Sequence, residues 1–278
     1  MPGNKFYEQR IDQQNYDHIL LDKRPNGVLV ATLNRPERLN AVNPPMHHEI
    51  VSLAREFDED PTVKVLLLTG AGKSFCSGGD FSEGSPDDIP ASRGRDPRAP
   101  FREGRRLIDD YMDCEKPIIT AVKGYAMGMG ATIALLGDIV IAGRSAVFAD
   151  THTRMGIAAG DGGQVLWPPA IGPYWARYFM MTGEKVTADL ADRLGLVSMV
   201  VEDDDLHDRA LEVANRLAEG PSMAIIASKL GVNRYLKDIA IKTNAYGIAL
   251  EELTFHSEDA SEAMSAFQEK RPPRFRGR

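Results

Sequence analysis

Val63-Lys64-Val65-Leu66-Leu67-Leu68-Thr69-Gly70-Ala71-Gly72-Lys73-Ser74 and Ile118-Ile119-Thr120-Ala121-Val122-Lys123-Gly124-Tyr125-Ala126-Met127-Gly128-Met129-Gly130 share one plan, a short β-branched and leucine-rich run followed by glycines. Such a run reads as a buried strand ending in a glycine loop. The first loop is no nucleotide-phosphate loop, because that motif needs a glycine where Leu67 stands. The second fails the dinucleotide fingerprint, whose third glycine would fall at Ile133. Together they describe another device. Each presents free backbone N–H groups before a helix, and two such groups aimed at one point make an oxyanion hole. Either loop alone would read as a turn.

Working outward, Ile19-Leu20-Leu21 and Val28 to Leu33 read as a hairpin closed at Pro25-Asn26-Gly27. Met46, Ile50, Leu53 and Phe57 fall on one face of a helix expected from about Pro45 to Glu59. Ile139 to Ala142 is a further strand, so the core alternates strand and helix. From Phe81 to Arg106 the chain is rich in Ser, Gly, Pro, Asp and Arg, and is expected to form a polar flap outside the core. Leu206, Ala210, Val213, Ala214 and Leu217 open a helical C-terminal part.

A chain of 278 residues with 43% hydrophobic content can bury a full core. A net charge of -7 argues against a nucleic-acid partner, since no positive field is present to displace counterions. The first residues lack a basic head with an apolar run, and no stretch has the roughly 18 apolar residues of a membrane span. A cytoplasmic protein with a small-molecule substrate is expected, with no membrane partner. Cys76 and Cys114 have no second Cys or His at metal-ligand spacing and read as plain buried thiols, so no metal site is expected.

Asn34-Arg35-Pro36-Glu37-Arg38-Leu39-Asn40-Ala41, Ser74 to Asp80, Lys123 to Gly130 running on to Gly137-Asp138, Thr182-Gly183, Gly195-Leu196-Val197 and Ser265 to Arg271 resemble, in order and spacing, the crotonase (enoyl-CoA hydratase/isomerase) superfamily. The resemblance implies an α/β fold with a β/β/α spiral core over 18–205, an N-terminal extension over 1–17, and a helical trimerisation region over 206–278. It implies homotrimers or dimers of trimers. It places the oxyanion donors at the backbone N–H groups of Gly79 and Met129. Hydratases of the family add water with two glutamates, and residue matching puts Thr132 and His152 at those positions.

The segments Gly156 to Gly162, Val165-Leu166-Trp167-Pro168 and Arg177-Tyr178-Phe179 are similar to the 6-oxocamphor hydrolase and β-diketone hydrolase branch. That likeness implies His152 and Asp161 as a base with its orienting carboxylate, joined by His47 and Glu251, with Val42 where the branch carries a tryptophan. The reaction implied is hydrolytic carbon–carbon cleavage of a β-diketone (retro-Claisen), with no cofactor required. The alternative is an acyl-CoA enzyme, an atypical hydratase or ring-opening hydrolase, with coenzyme A as part of the substrate and Arg35, Arg38 and Lys270 reaching its phosphates. An RNA-binding role would rest on Arg93, Arg95, Arg98, Arg102, Arg105 and Arg106, which alternate with acidic residues and read as a solvated flap.

Overall fold

The computed structural model describes residues 10–81 and 99–278. Strands β1 (Ile19–Lys23) and β2 (Val28–Leu33) form the expected antiparallel hairpin. Its turn falls at the expected Pro25-Asn26-Gly27. The Gly27 N–H donates to the Arg24 carbonyl at 3.0 Å, which makes Pro25 and Asn26 the central pair, and Gly27 follows at φ 91°. Proline fixes the first central φ and glycine accepts the left-handed one. Helix α1 (Pro44–Glu59) is capped by Asn43, whose side chain accepts the Met46 N–H at 3.1 Å, and it buries Met46, Ile50, Leu53 and Phe57.

Beyond the hairpin, β3 (Val65–Gly70), β4 (Ile118–Val122), β6 (Ile139–Gly143) and β9 (Met199–Val201) add in parallel, giving a six-stranded sheet in the order β1-β2-β3-β4-β6-β9. A smaller sheet holds β5 (Tyr125–Met127), β7 (Val147–Ala149) and β8 (Val186–Thr187). The chain alternates between them. From β4 it passes to β5, through α3 (Met129–Leu135) to β6, and on to β7, so each turn gives one strand to each layer and one helix. This is the expected β/β/α spiral.

Alternation along the strands decides which face each helix covers. Val28 and Val30 of β2, with Val65 and Leu67 of β3, point to α6 (Leu206–Ala218), which buries Leu206, Ala210, Val213 and Ala214 against them. Leu29, Ala31, Leu66 and Leu68 point the other way, into the larger core beneath α1. The boundary expected after residue 205 therefore does not part α6 from the core: α6 is a wall of it.

Helix α7 (Ser222–Phe255) runs 34 residues along α2 (Ala99–Asp113) and α4 (Gly163–Thr182). Asn233 Nδ2 donates to the Met112 carbonyl at 3.1 Å, Lys229 pairs with Asp138 at 2.8 Å, and Lys237 pairs with Asp113. At its far end α7 meets the loop before α4 backbone to backbone. A Cβ on Gly160 would lie 2.2 Å from the Gly247 carbonyl oxygen and 2.6 Å from Glu251 Cβ. Helices α5 (Ala188–Leu194) and α8 (Glu258–Gln268) complete the order. Of the expected flap, residues 82–98 lie outside the described residues, as do residues 1–9 of the N-terminal extension, and the part from Ala99 belongs to α2. Both cysteines are buried, and among the described residues no helix is long and apolar enough to cross a membrane.

The Gly160 contact makes a testable contrast. Gly160→Ala has no space for its methyl group, and overpacking of this kind costs about 1–3 kcal/mol. Gly231→Ala, on an exposed stretch of α7 with nothing within 4 Å, gains about 0.5–1 kcal/mol from helix propensity. Urea unfolding of the two variants should move the midpoint in opposite directions.

Candidate active site

The two glycine loops are bound to each other before they can bind anything else. Cys76 N–H donates to the Tyr125 carbonyl at 2.8 Å, and Met127 N–H returns a bond to the Cys76 carbonyl at 3.0 Å. Their approach leaves no room for side chains: a Cβ on Gly130 would stand 2.3 Å from the Cys76 carbonyl oxygen, and one on Gly78 would stand 2.9 Å from that of Met127. Gly128, at φ 51° and ψ -122°, takes a backbone conformation open to glycine. Among the described residues, the N–H groups of Gly79 and Met129 meet no backbone or side-chain acceptor, which suits donors kept for a ligand oxygen.

Arg35 holds the first loop in place. Its Nη1 pairs with Asp80 at 2.9 Å and also donates to the Ala41 carbonyl, and the residue is 8% exposed. Asp80 N–H in turn bonds to the Val42 carbonyl at 3.0 Å, and Val42 N–H to the Gly78 carbonyl at 2.8 Å. Arg35 is therefore a buried anchor beside the oxyanion loop, and the expectation that it reaches out to a coenzyme phosphate is corrected. Asn40, fully buried at φ 55°, accepts the Arg35 N–H and donates to the carbonyls of Ala71 and Ser74. Arg38 and Lys270 are exposed.

His152 lies against the second loop, since a Cβ on Gly128 would sit 3.8 Å from its Cε1. It follows β7 by three residues and is gripped on both ring nitrogens. Nδ1 is 2.7 Å from Asp150 Oδ1, and Nε2 is 3.2 Å from Asp161 Oδ2. The sequence reading put Asp161 behind the imidazole as its orienter; Asp150 has a nitrogen of its own, and Asp161 occupies the other. Thr132 Oγ1 donates to Asp161 Oδ1 at 3.1 Å, so the residue at one hydratase glutamate position supports the carboxylate paired with the residue at the other. Asp161 Oδ2 receives no aligned hydrogen bond from a buried donor. Its contact with Nε2 is ionic.

The charges follow from this crowding. Burial pushes the imidazole toward neutrality, but Asp161 and Asp150 outweigh it and hold the His152 pKa well above its ordinary value. Burial raises Asp161, but the His152 charge, the hydrogen bond from Thr132 and the nearby His47 bring it below the usual carboxylate range. Glu251 arrives from α7 over Gly160. Burial, then the Asp161 charge, pushes its carboxyl up to about 8, so it is a neutral acid at pH 7. His47, on α1, is 3.6 Å from Glu103 of α2 and completes the group.

The structure thus gathers His152, Asp161, Glu251 and His47 beside the glycine loops. Sequence reasoning missed Asp150, although Asp-Thr-His at a strand end was a signal for it. Among the described residues no cluster of His, Cys, Asp and Glu could hold a metal. A cavity of about 240 Å³ between α3 and α7, lined by Tyr111, Leu135, Leu166 and Lys229 among others, includes none of these groups.

Known proteins share this frame across its length. The 1,2-epoxyphenylacetyl-CoA isomerase of Escherichia coli is 34% identical over 273 residues, covering 93% of this chain and 98% of its own. A probable enoyl-CoA hydratase of Mycobacterium leprae is 37% identical over 264 residues, covering 94% and 98%. Among solved structures, a β-diketone hydrolase from the cyanobacterium Anabaena, bound to (S)-3-oxocyclohexyl acetic acid, superposes with a TM-score of 0.78 at 30% identity over 87% of this chain and 96% of that one. The family model described as enoyl-CoA hydratase/isomerase matches residues 23–278, and the chain belongs to that family.

Proposed function

We propose that the chain hydrolyses a carbon–carbon bond of a β-diketone, using Asp161 and His152 to activate water and Glu251 as a proton donor. The observation that carries this reading is the Thr132–Asp161–His152 contact chain at the two hydratase glutamate positions, with the neutral Glu251 carboxyl beside it. Water would direct one O–H at Asp161 Oδ2, with His152 Nε2 3.2 Å behind that oxygen as the final proton acceptor. Its oxygen attacks one carbonyl carbon, and the new oxyanion lies on the N–H groups of Gly79 and Met129. The bond to the α-carbon breaks as the carboxylic acid forms, and its electron pair passes into the second carbonyl as an enolate. Glu251 protonates the α-carbon, giving one acid and one ketone. The likeness to the Anabaena β-diketone hydrolase supports the reading.

A second reading is an acyl-CoA enzyme of the same family. It is favoured by the coenzyme A thioester enzymes among the relatives and by the exposure of Arg38 and Lys270, which leaves both side chains available to phosphates. Both readings go with a homotrimer or dimer of trimers. Tyr174, Trp175, Tyr178 and Met181 on α4, and Tyr235 and Tyr246 on α7, are exposed apolar surface of the kind subunit contacts cover.

Cyclohexane-1,3-dione, followed by loss of its enol absorbance, and crotonyl-CoA, followed by loss of its double-bond absorbance, separate the readings. Diketone turnover that falls about 100- to 10,000-fold in His152→Ala and Asp161→Asn is expected; crotonyl-CoA hydration with calorimetric binding of coenzyme A would overturn it. The diketone rate should rise with pH as His152 loses its proton, through a midpoint displaced well above the ordinary imidazole range, because only the neutral ring accepts one. It should fall near pH 8 as Glu251 loses the proton it donates. Glu251→Gln should lower the plateau and abolish the alkaline limb. Light scattering on the purified chain should give three or six subunits, and Trp175→Glu should shift it toward the monomer.

A further inference from the structure

We propose that Asp150 is the positioning residue of this site: it fixes the ring and tautomer of His152 so that the Nε2 lone pair faces Asp161. The inference rests on His152 and Asp161 acting as the proton-accepting pair and assigns the residue that makes the pair work in one direction.

One carboxylate oxygen holds His152 twice. Asp150 Oδ1 lies 2.7 Å from the ring Nδ1 and accepts the His152 backbone N–H at 3.3 Å, with Asp150 1% exposed. The other oxygen points at the start of α4, where a Cβ on Gly163 would lie 2.3 Å from Oδ2. Gly163 therefore makes the room, and the helix start favours negative charge there. One oxygen of the carboxylate thus holds His152 while the other lies against the start of α4.

The groups around His152 make this anchoring matter. Asp161 faces Nε2 from the loop before α4, Glu251 reaches the same region from α7, and His47 of α1 faces Asp161. With Nδ1–H committed to Asp150, a neutral imidazole must carry its lone pair on Nε2. Without Asp150, the single proton would go to Nε2, drawn by the Asp161 charge, and the ring would donate to Asp161 and accept nothing from water. The site would be formed but idle.

Imidazole Cε1–H resonances read this directly, that of His152 being identified by its loss in His152→Ala. In Asp150→Asn the charge is gone while the shape remains, so the His152 midpoint should fall by about 1–3 pH units. Asp150→Glu keeps the charge, and its midpoint should stay within about half a unit of the original, which covers the case in which the asparagine variant does not fold. On cyclohexane-1,3-dione, Asp150→Asn should move the acidic limb down by the same amount and reduce kcat about 100-fold or more with KM little changed. An unmoved midpoint in Asp150→Asn, or a glutamate variant whose midpoint drops, would overturn the proposal even if kcat fell. Because the titration needs no turnover, a chain inactive on diketones with a shifted midpoint keeps Asp150 in its role and removes the reaction instead.

Discussion

A cation and two carboxylates can be buried together only if their charges balance and their oxygens are met, and the heart of this protein is built to that condition. Asp150 and Asp161 on either side of His152 leave one negative charge in excess. The structure handles that excess by position: Asp150 leans on the start of α4, Asp161 takes the Thr132 hydroxyl, and Glu251 beside them stays protonated. A third ionised carboxylate would add repulsion in a medium with little water to screen it. Burial first, and then the same Asp161 charge that helps to raise His152, pushes the Glu251 carboxyl up.

The oxyanion loops obey a steric condition of similar strictness. Their glycines at 78 and 130 let two backbones close to hydrogen-bond distance, and Arg35 and Asn40 tie the first loop to the strand ends behind it. Donors fixed this way need no rearrangement when charge appears on a substrate oxygen. Substituting any of these supports would move the Gly79 and Met129 N–H groups from a residue that does not itself carry them.

Much of the frame was legible from periodicity alone, because strands buried on both faces and an amphipathic α1 leave plain patterns. The turn at Pro25-Asn26-Gly27 was legible because proline and glycine each suit one position of it. The α6 boundary was misjudged because an amphipathic helix reads the same whether it covers a sheet or a partner. Arg35 was read as a side chain reaching for a coenzyme phosphate, and nothing in its neighbours in sequence announced Asp80, which lies 45 residues away. His152, Asp161, Glu251 and His47 were found through resemblance to relatives, as their separation in sequence is too great for spacing to join them. Asp150 was within reach: residues i and i+2 past a strand share a side, and an aspartate two places before a candidate base is a natural partner for it.

The packing of α7 across Gly160 has a consequence for the life of the polypeptide. Both sheets, the glycine loops and the Asp–His–Asp cluster are complete by Val201 at the end of β9, while Glu251 follows later, in α7. In synthesis from the N-terminus, the glycine loops and the Asp–His–Asp cluster therefore leave the ribosome before Glu251 does. The cluster is whole only when α7 has closed over Gly160, so a chain stopped before α7 would carry the imidazole and its two carboxylates without the third carboxyl.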